Sequence, residues 1–210
     1  MSTAFYQKGQ LIGLTGPTGA GKSTVCTSLM QRGWGVVDAD ATARLVTQPG
    51  QPCLVELAEA FGKDILTPDG ALRRAVLADR AFSSPQDTQR LNAITHPHIL
   101  RLIKEKVGQL YSSGKKLVAL DAPLLFESGL AEGCAATVAV LAPAQQRLAR
   151  IMQRDNITQT AAQKRMSAQP DDQFYLARAS YVLYNTGNSE ALYQQAQQLA
   201  AQLEEAYGQG

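Results

Sequence analysis

Charge imbalance is what this sequence most plainly lacks: 20 Lys and Arg stand against 18 Asp and Glu, leaving a formal net charge of +2. An excess that small argues against a surface dedicated to duplex nucleic acid, although a local basic pocket for phosphates stays open. Cysteine is scarce. Cys26, Cys53 and Cys134 lie far apart and form no C-x-x-C pair, which argues against a disulfide framework and a tetrahedral zinc site and leaves reduced core thiols as the expectation. The chain nowhere offers about 18 consecutive apolar residues, the length a membrane span needs, and its first ten residues lack the apolar segment of a signal peptide. Internal repeats and low-complexity linkers are absent too. What remains is 210 residues with 45% hydrophobic content, enough for one globular domain with a sizeable core. It is expected to be cytoplasmic, without nucleic-acid or membrane partners.

Short apolar runs alternate with longer helical stretches, the pattern of an α/β domain built on a parallel sheet. Five runs are expected as strands: Leu11 to Thr15, Val36 to Asp38, Leu117 to Asp121, Thr137 to Leu141 and a weaker Tyr181 to Leu183. Residues 41 to 116 read as helices. One spans Leu54 to Phe61 and is closed by Gly62, a second spans Leu72 to Phe82, and Pro97 at a first-turn position opens a third through Ile99, Leu102, Ile103 and Val107. Pro143 opens a helix through Arg154, and Thr158 N-caps the next, which ends near Gln169 and Pro170. A final helix carries Leu192, Ala196, Leu199 and Leu203 on one stripe, a spacing that packs it on the sheet.

The chemistry is announced directly after the first strand. Gly16-Pro17-Thr18-Gly19-Ala20-Gly21-Lys22-Ser23 satisfies G-x-x-x-x-G-K-[ST] and runs into a helix beginning at Lys22. Such a loop needs Gly16, Gly19 and Gly21 because its backbone turns sharply with successive N–H groups aimed at phosphate oxygens. The helix adds its dipole and unpaired donors. Lys22 then reaches the β- and γ-phosphates and Ser23 ligates magnesium. Pro17 has no N–H, so one backbone donor is missing from the cradle.

Two carboxylates close the second strand. Asp38 and Asp40 would project to one face if extended, at the carboxyl edge where open parallel sheets bind ligands. Only one need touch a substrate, where it would take the proton of an attacking hydroxyl; the bland reading of either is a strand-end cap on the following helix. Arg44 follows Asp40 by one helical turn and is a candidate for the same cleft. Asp121 ends the third strand in a Walker B type pattern, where an aspartate orients magnesium, often through water. With neither N-K-x-D nor D-x-x-G in the chain, ATP is preferred over GTP.

In this order the residues resemble the dephospho-coenzyme A kinase family from about Leu11 to Leu203. The segment Asp38-Ala39-Asp40 with Arg44 looks like the family's D-A-D-x-x-A-R, Thr95-His96-Pro97 its T-H-P, and Asp121-Ala122-Pro123-Leu124-Leu125-Phe126-Glu127 its more specific D-x-P-L-L-F-E. Gln153-Arg154-Asp155 with Arg165 and Gln169 is similar to its lid helices, and Asn185-Thr186-Gly187 to its N-x-G. The resemblance implies a three-layer P-loop fold with a five-stranded parallel sheet in order 2-3-1-4-5. Its core would be about 10–43, 117–142 and 180–207, its helical coenzyme-binding insertion about 44–116 and its lid about 143–170.

The resemblance also implies phosphorylation of the ribose 3′-hydroxyl of dephospho-coenzyme A by ATP with Mg2+, the last step of coenzyme A synthesis; the enzyme is expected to be a monomer, with a weak oligomer as the alternative. Asp40, Lys22 and Arg154 would be catalytic. Nucleotide would meet Gly16, Thr18, Gly19, Ala20, Gly21, Lys22, Ser23, Thr24, Arg154 and Asn185, with Ser23 on the metal. Acceptor would meet Thr15, Asp40, Arg44, His96 and the Pro123, Leu124, Leu125, Phe126, Glu127 run. The bland alternatives are that His96 begins a helix, that Arg154 lies on a solvated face and that Leu124, Leu125 and Phe126 are core; His98 is expected at the surface. Pro17 and Thr18 depart from the family's glycine and isoleucine, Ala122 from its isoleucine or valine, and Ala135-Ala136 lacks an acidic residue often found there. The competing functions are another P-loop small-molecule kinase (shikimate, gluconate or nucleoside type) and a non-catalytic ATP-binding regulator.

Overall fold

The computed structural model describes residues 11–208. Its contacts divide the chain into two units, one comprising residues up to Val37 together with those from Val107 onward, the other Asp38–Lys106.

The first unit is built on a sheet. β1 (Leu11–Thr15), β2 (Gly35–Asp38), β3 (Val118–Asp121), β4 (Ala136–Leu141) and β5 (Tyr181–Tyr184) lie in the expected order β2-β3-β1-β4-β5. Register is parallel, with Leu14 opposite Asp121, Thr15 opposite Ala139 and Leu141 opposite Tyr184, so these strands end at one carboxyl edge. Side-chain alternation decides the layers. Val138 and Val140 join Ile12, Leu14 and Ala119 against α1 (Lys22–Gln31) and α9 (Ser189–Tyr207). Ala139 and Leu141 point the other way, onto Tyr175 of α8 (Asp172–Leu176) and onto Phe126 and Phe174. The apolar stripe of α9 is buried as expected, with Leu192 at 1% exposure and Ala196 at 0%.

In the second unit the elements are helical. α2 (Ala39–Leu45), α3 (Pro52–Phe61), α4 (Arg74–Ala81) and the first part of α5 (Pro85–Ser112) enclose a core of Val46, Cys53, Leu57, Ala58, Phe61, Ile65, Leu77 and Ala81. α3 starts two residues earlier than the apolar spacing indicates, because Pro52 needs no N–H partner in a first turn. α4 starts two residues later, since Leu72 instead pairs with Leu66 in an antiparallel bridge.

The helix expected to begin at Pro97 begins at Pro85. Ser84 accepts from the Asp87 N–H at 3.1 Å and donates to the Asp87 carboxylate at 2.6 Å, a reciprocal cap. Pro97 lies inside the 28 residues of α5. It is tolerated because Ala93, whose carbonyl loses its i→i+4 donor, sits with Pro97 on the exposed side and water can serve it. The apolar face formed by Leu91, Ile94, Ile99 and Leu102 continues across the proline.

α6 (Ala144–Asp155) and α7 (Gln159–Ser167) follow the expected bounds, and the Thr158 hydroxyl accepts from the Ala161 N–H as the cap of α7. Asn156 takes the left-handed conformation that ends α6, φ 49°. The cysteines are thiols, in no disulfide. Burial pushes Cys53 up to about 11 and Cys134 up to about 12, which keeps both unreactive.

Candidate active site

The turn from β1 into α1 is shaped by close packing as much as by backbone freedom. Gly16 has φ 137°, and a Cβ there would lie 2.2 Å from the Val140 carbonyl oxygen; Gly21 has φ 110°, and a Cβ would lie 2.5 Å from Asn185 Nδ2. L-residues avoid such angles, and here no space exists for a side chain either. Ala20 N–H donates to Pro17 O at 3.2 Å, closing a turn, and Lys22 Nζ donates to Gly16 O at 3.2 Å, folding the lysine back over its own loop. Ser23 opens α1 with an exposed side chain and Thr24 is half-buried beside it.

α6 adds cations to this loop. Arg147, Arg150 and Arg154 are spaced i, i+3, i+7 and share one stripe. Arg147 Nε donates to Thr18 O at 3.1 Å, Arg150 donates to Gly19 O at 3.2 Å, and Arg154 reaches the Thr18 hydroxyl at 3.4 Å. Arg154 also holds Asp155 through two bonds of 2.7 and 2.9 Å, and Arg165 pairs with the same carboxylate. Hydrogen bonding to Arg154 keeps the Asp155 carboxyl below its usual range. Arg147 is different: burial pushes its guanidinium down, opposed by Asp172, whose carboxylate is 3.6 Å away. The stripe was visible in the sequence as 3-4 spacing of arginines, yet only Arg154 was singled out there.

Several expected contact residues serve the loop from behind. Asn185, 5% exposed, donates from Nδ2 to Ala20 O at 2.8 Å, and its Oδ1 accepts from Arg150 at 3.3 Å. It supports the cradle through its carbonyl side. Thr15 is fully buried and its hydroxyl donates to Pro123 O at 3.2 Å, tying the end of β1 to the turn after β3. In that turn Leu124 is 59% exposed and Glu127 is exposed, whereas Leu125 is fully buried. Gly13 makes this possible, because a Cβ there would meet Leu125 Cδ2 at 2.6 Å. The Leu125 side chain therefore packs into the core. Phe126 is half-buried and meets Phe174 edge-on at 6.0 Å.

At the end of β3, Asp121 Oδ2 accepts from Cys26 Sγ at 3.7 Å. With Ser23 it supplies oxygen donors near the phosphate loop, Asp121 sitting opposite Leu14 in register, and such hard donors fit a magnesium ion that keeps waters and phosphate oxygens as its other ligands.

The remaining expected residues lie in the helical unit. Asp38 and Asp40 are not extended together. Asp38 is the N-cap of α2, its carboxylate accepting from the Ala41 N–H at 2.8 Å, and Asp40 stands in the first helical turn with its side chain exposed. A cap carboxylate satisfies a donor the helix cannot, so the second strand ends at Asp38, two residues short of Asp40. Arg44, in the last turn of α2, and His96, on α5, are both exposed. His98 is less free than expected, its Nε2 lying 3.0 Å from Glu56 Oε1.

A glycine-bent loop that joins the first strand of a parallel 2-3-1-4-5 sheet to a helix opening on Lys22 and Ser23 defines the P-loop kinase class. The Dephospho-CoA kinase family model matches residues 10–191. A dephospho-CoA kinase of Corynebacterium glutamicum is 42% identical over 192 residues, spanning 91% of this chain and 96% of that one. One from Anaeromyxobacter dehalogenans is 43% identical over 194 residues, 92% of each. A crystal structure of a Thermus thermophilus protein shares the fold at TM-score 0.80 and 34% identity, over 94% of this chain and 99% of that one. The chain belongs to the dephospho-CoA kinase family. Among the described residues no helix is long and apolar enough to cross a membrane.

Proposed function

We infer that this protein transfers the γ-phosphoryl group of ATP to the ribose 3′-hydroxyl of dephospho-coenzyme A, giving coenzyme A and ADP. The observation that carries the reading is the loop at Gly16–Ser23, whose shape excludes a side chain at Gly16 and at Gly21, in a chain of this family. The lack of a guanine-binding N-K-x-D sequence supports ATP.

In this reading Gly16, Thr18, Gly19, Ala20, Gly21 and Thr24 surround the phosphates, with backbone N–H groups of the loop and α1 as donors. Lys22 leaves Gly16 O to neutralise the β- and γ-oxygens. Ser23 and Asp121 would hold Mg2+, which supplies charge neutralisation on the phosphates. Asp40 accepts the proton as the 3′-oxygen forms its bond to phosphorus and the bond to the β-phosphate oxygen breaks. His96, Arg44, Leu124 and Glu127 are the acceptor-side groups. Residues 143–170 act as a lid in which Arg154 exchanges Asp155 for phosphate oxygens; a guanidinium suits charge spread over several oxygens. The helical insertion, about 44–116, carries the coenzyme. Thiol cysteines suit a reducing compartment, so the cytoplasm is the expected place of action.

ADP release with Mg-ATP, measured with and without dephospho-coenzyme A, tests the assignment. Acceptor-dependent release with a 3′-phosphorylated product is expected. Background release with dephospho-coenzyme A but turnover of shikimate, gluconate or a nucleoside would overturn it.

A further inference from the structure

The peptide groups of Thr18 are held at both ends by side chains more than a hundred residues away. Its N–H donates to Gln169 Oε1 at 2.9 Å, and its C=O accepts from Arg147 Nε at 3.1 Å. Gln169 is half-buried and Arg147 is buried. Arg147 is 6% exposed, the one charged side chain among the described residues that is buried to this degree. Burying a guanidinium is costly unless its donors are used and its charge is faced, and here Thr18 O supplies the first and Asp172 the second. Gln169 follows α7, at the start of the stretch that leads to the cap of α8, where Asp171 accepts from the Phe174 N–H.

We propose that Arg147 and Gln169 are positioning residues of the phosphate loop, clamping Thr18 so that the Pro17 to Ala20 turn keeps one orientation. The clamp matters at this position because Pro17 supplies no N–H of its own and Gly19 has no side chain to lock it. Thr18 is held through both its N–H and its C=O, whereas Arg150 and Asn185 each take only a carbonyl, those of Gly19 and Ala20. Thr18 held by its C=O and N–H fixes the plane of the peptides on either side, and with them the direction in which Gly19 and the following residues present their donors. Asp172 completes the device by keeping Arg147 in place. A guanidinium is suited to this, since its planar fork donates along Nε to the carbonyl while another nitrogen faces the carboxylate.

This inference rests on the kinase reading, and it is tested without the acceptor. Direct binding of Mg-ATP and of ADP is measured by calorimetry on the full chain for the parent, Arg147→Met, Arg147→Lys and Gln169→Ala. Losing a hydrogen bond from a charged donor to a loop that must be pre-shaped predicts roughly tenfold weaker nucleotide binding for Arg147→Met. Lysine, which keeps the charge but not the fork, should recover part of it. Gln169→Ala, outside the core, should weaken binding about threefold by the same logic for a neutral bond, with the KM of the acceptor within about twofold of the parent. A merely structural Arg147 would lower Tm and leave nucleotide affinity unchanged in the folded fraction; that result, or parent-like affinity in Gln169→Ala, overturns the proposal. Should Arg147→Met fail to fold, Gln169→Ala and Arg147→Lys still decide it. Nucleotide binding by the parent with no transfer to dephospho-coenzyme A would count against the proposed reaction and leave the clamp standing.

Discussion

The loop after β1 and helix α2 present their polar groups in opposite ways. At the loop it is the main chain that is laid open, and side chains are disfavoured at Gly16 and Gly21 by contacts with Val140 O and Asn185. In α2 the main chain is spent on the helix, and what remains available are the exposed side chains of Asp40 and Arg44. A change in the loop therefore acts through shape and reaches the fold, whereas a change at Asp40 or Arg44 acts through the chemistry of one exposed group and leaves the fold intact.

Gly16→Ala is the strongest way to break that contrast. The methyl would sit 2.2 Å from Val140 O at φ 137°, so strain and overpacking together should cost roughly 3–5 kcal/mol, with ATP binding lost. Urea denaturation and nucleotide titration check this; a stable variant that binds ATP normally would show that the loop tolerates a side chain. Asp40→Asn is the matching change in α2. It should lower kcat by roughly 10² while Tm and nucleotide binding stay near those of the parent, and a normal kcat would move the base elsewhere.

Arg154→Ala sharpens the comparison, since this residue offers a side chain to the loop. Its guanidinium is more than half exposed and already paired with Asp155, so little stability rests on it. kcat should fall about tenfold, more than ATP affinity, and hydrogen exchange over residues 143–170 should slow when ATP and acceptor are both bound. Unchanged exchange together with normal kcat would make α6 and α7 a rigid part of the unit. The smallest effect belongs to Asp38→Ala. Removing the cap that accepts the Ala41 N–H should cost about 1 kcal/mol of stability, seen as a lowered denaturation midpoint, and should reduce kcat far less than Asp40→Asn. A loss of turnover equal to that of Asp40→Asn would give both carboxylates the same role.

The sequence by itself determined the features that depend on neighbours in the chain. Strand positions followed from apolar runs, the loop from its glycines and the lysine and serine after them, the start of α7 from Thr158 and the buried face of α9 from its spacing, because local dihedral preferences and periodicity act over a few residues. Only the tertiary structure decided the rest. Pro97 stays within α5 because the apolar residues on both sides of it pack into one core. Leu125 is buried because Gly13, 112 positions earlier, leaves a notch for it. Arg147 has a partner 129 residues away in Thr18. A side chain on α6 is solvated or buried according to what the folded chain brings against it, and no pattern within α6 encodes that surface.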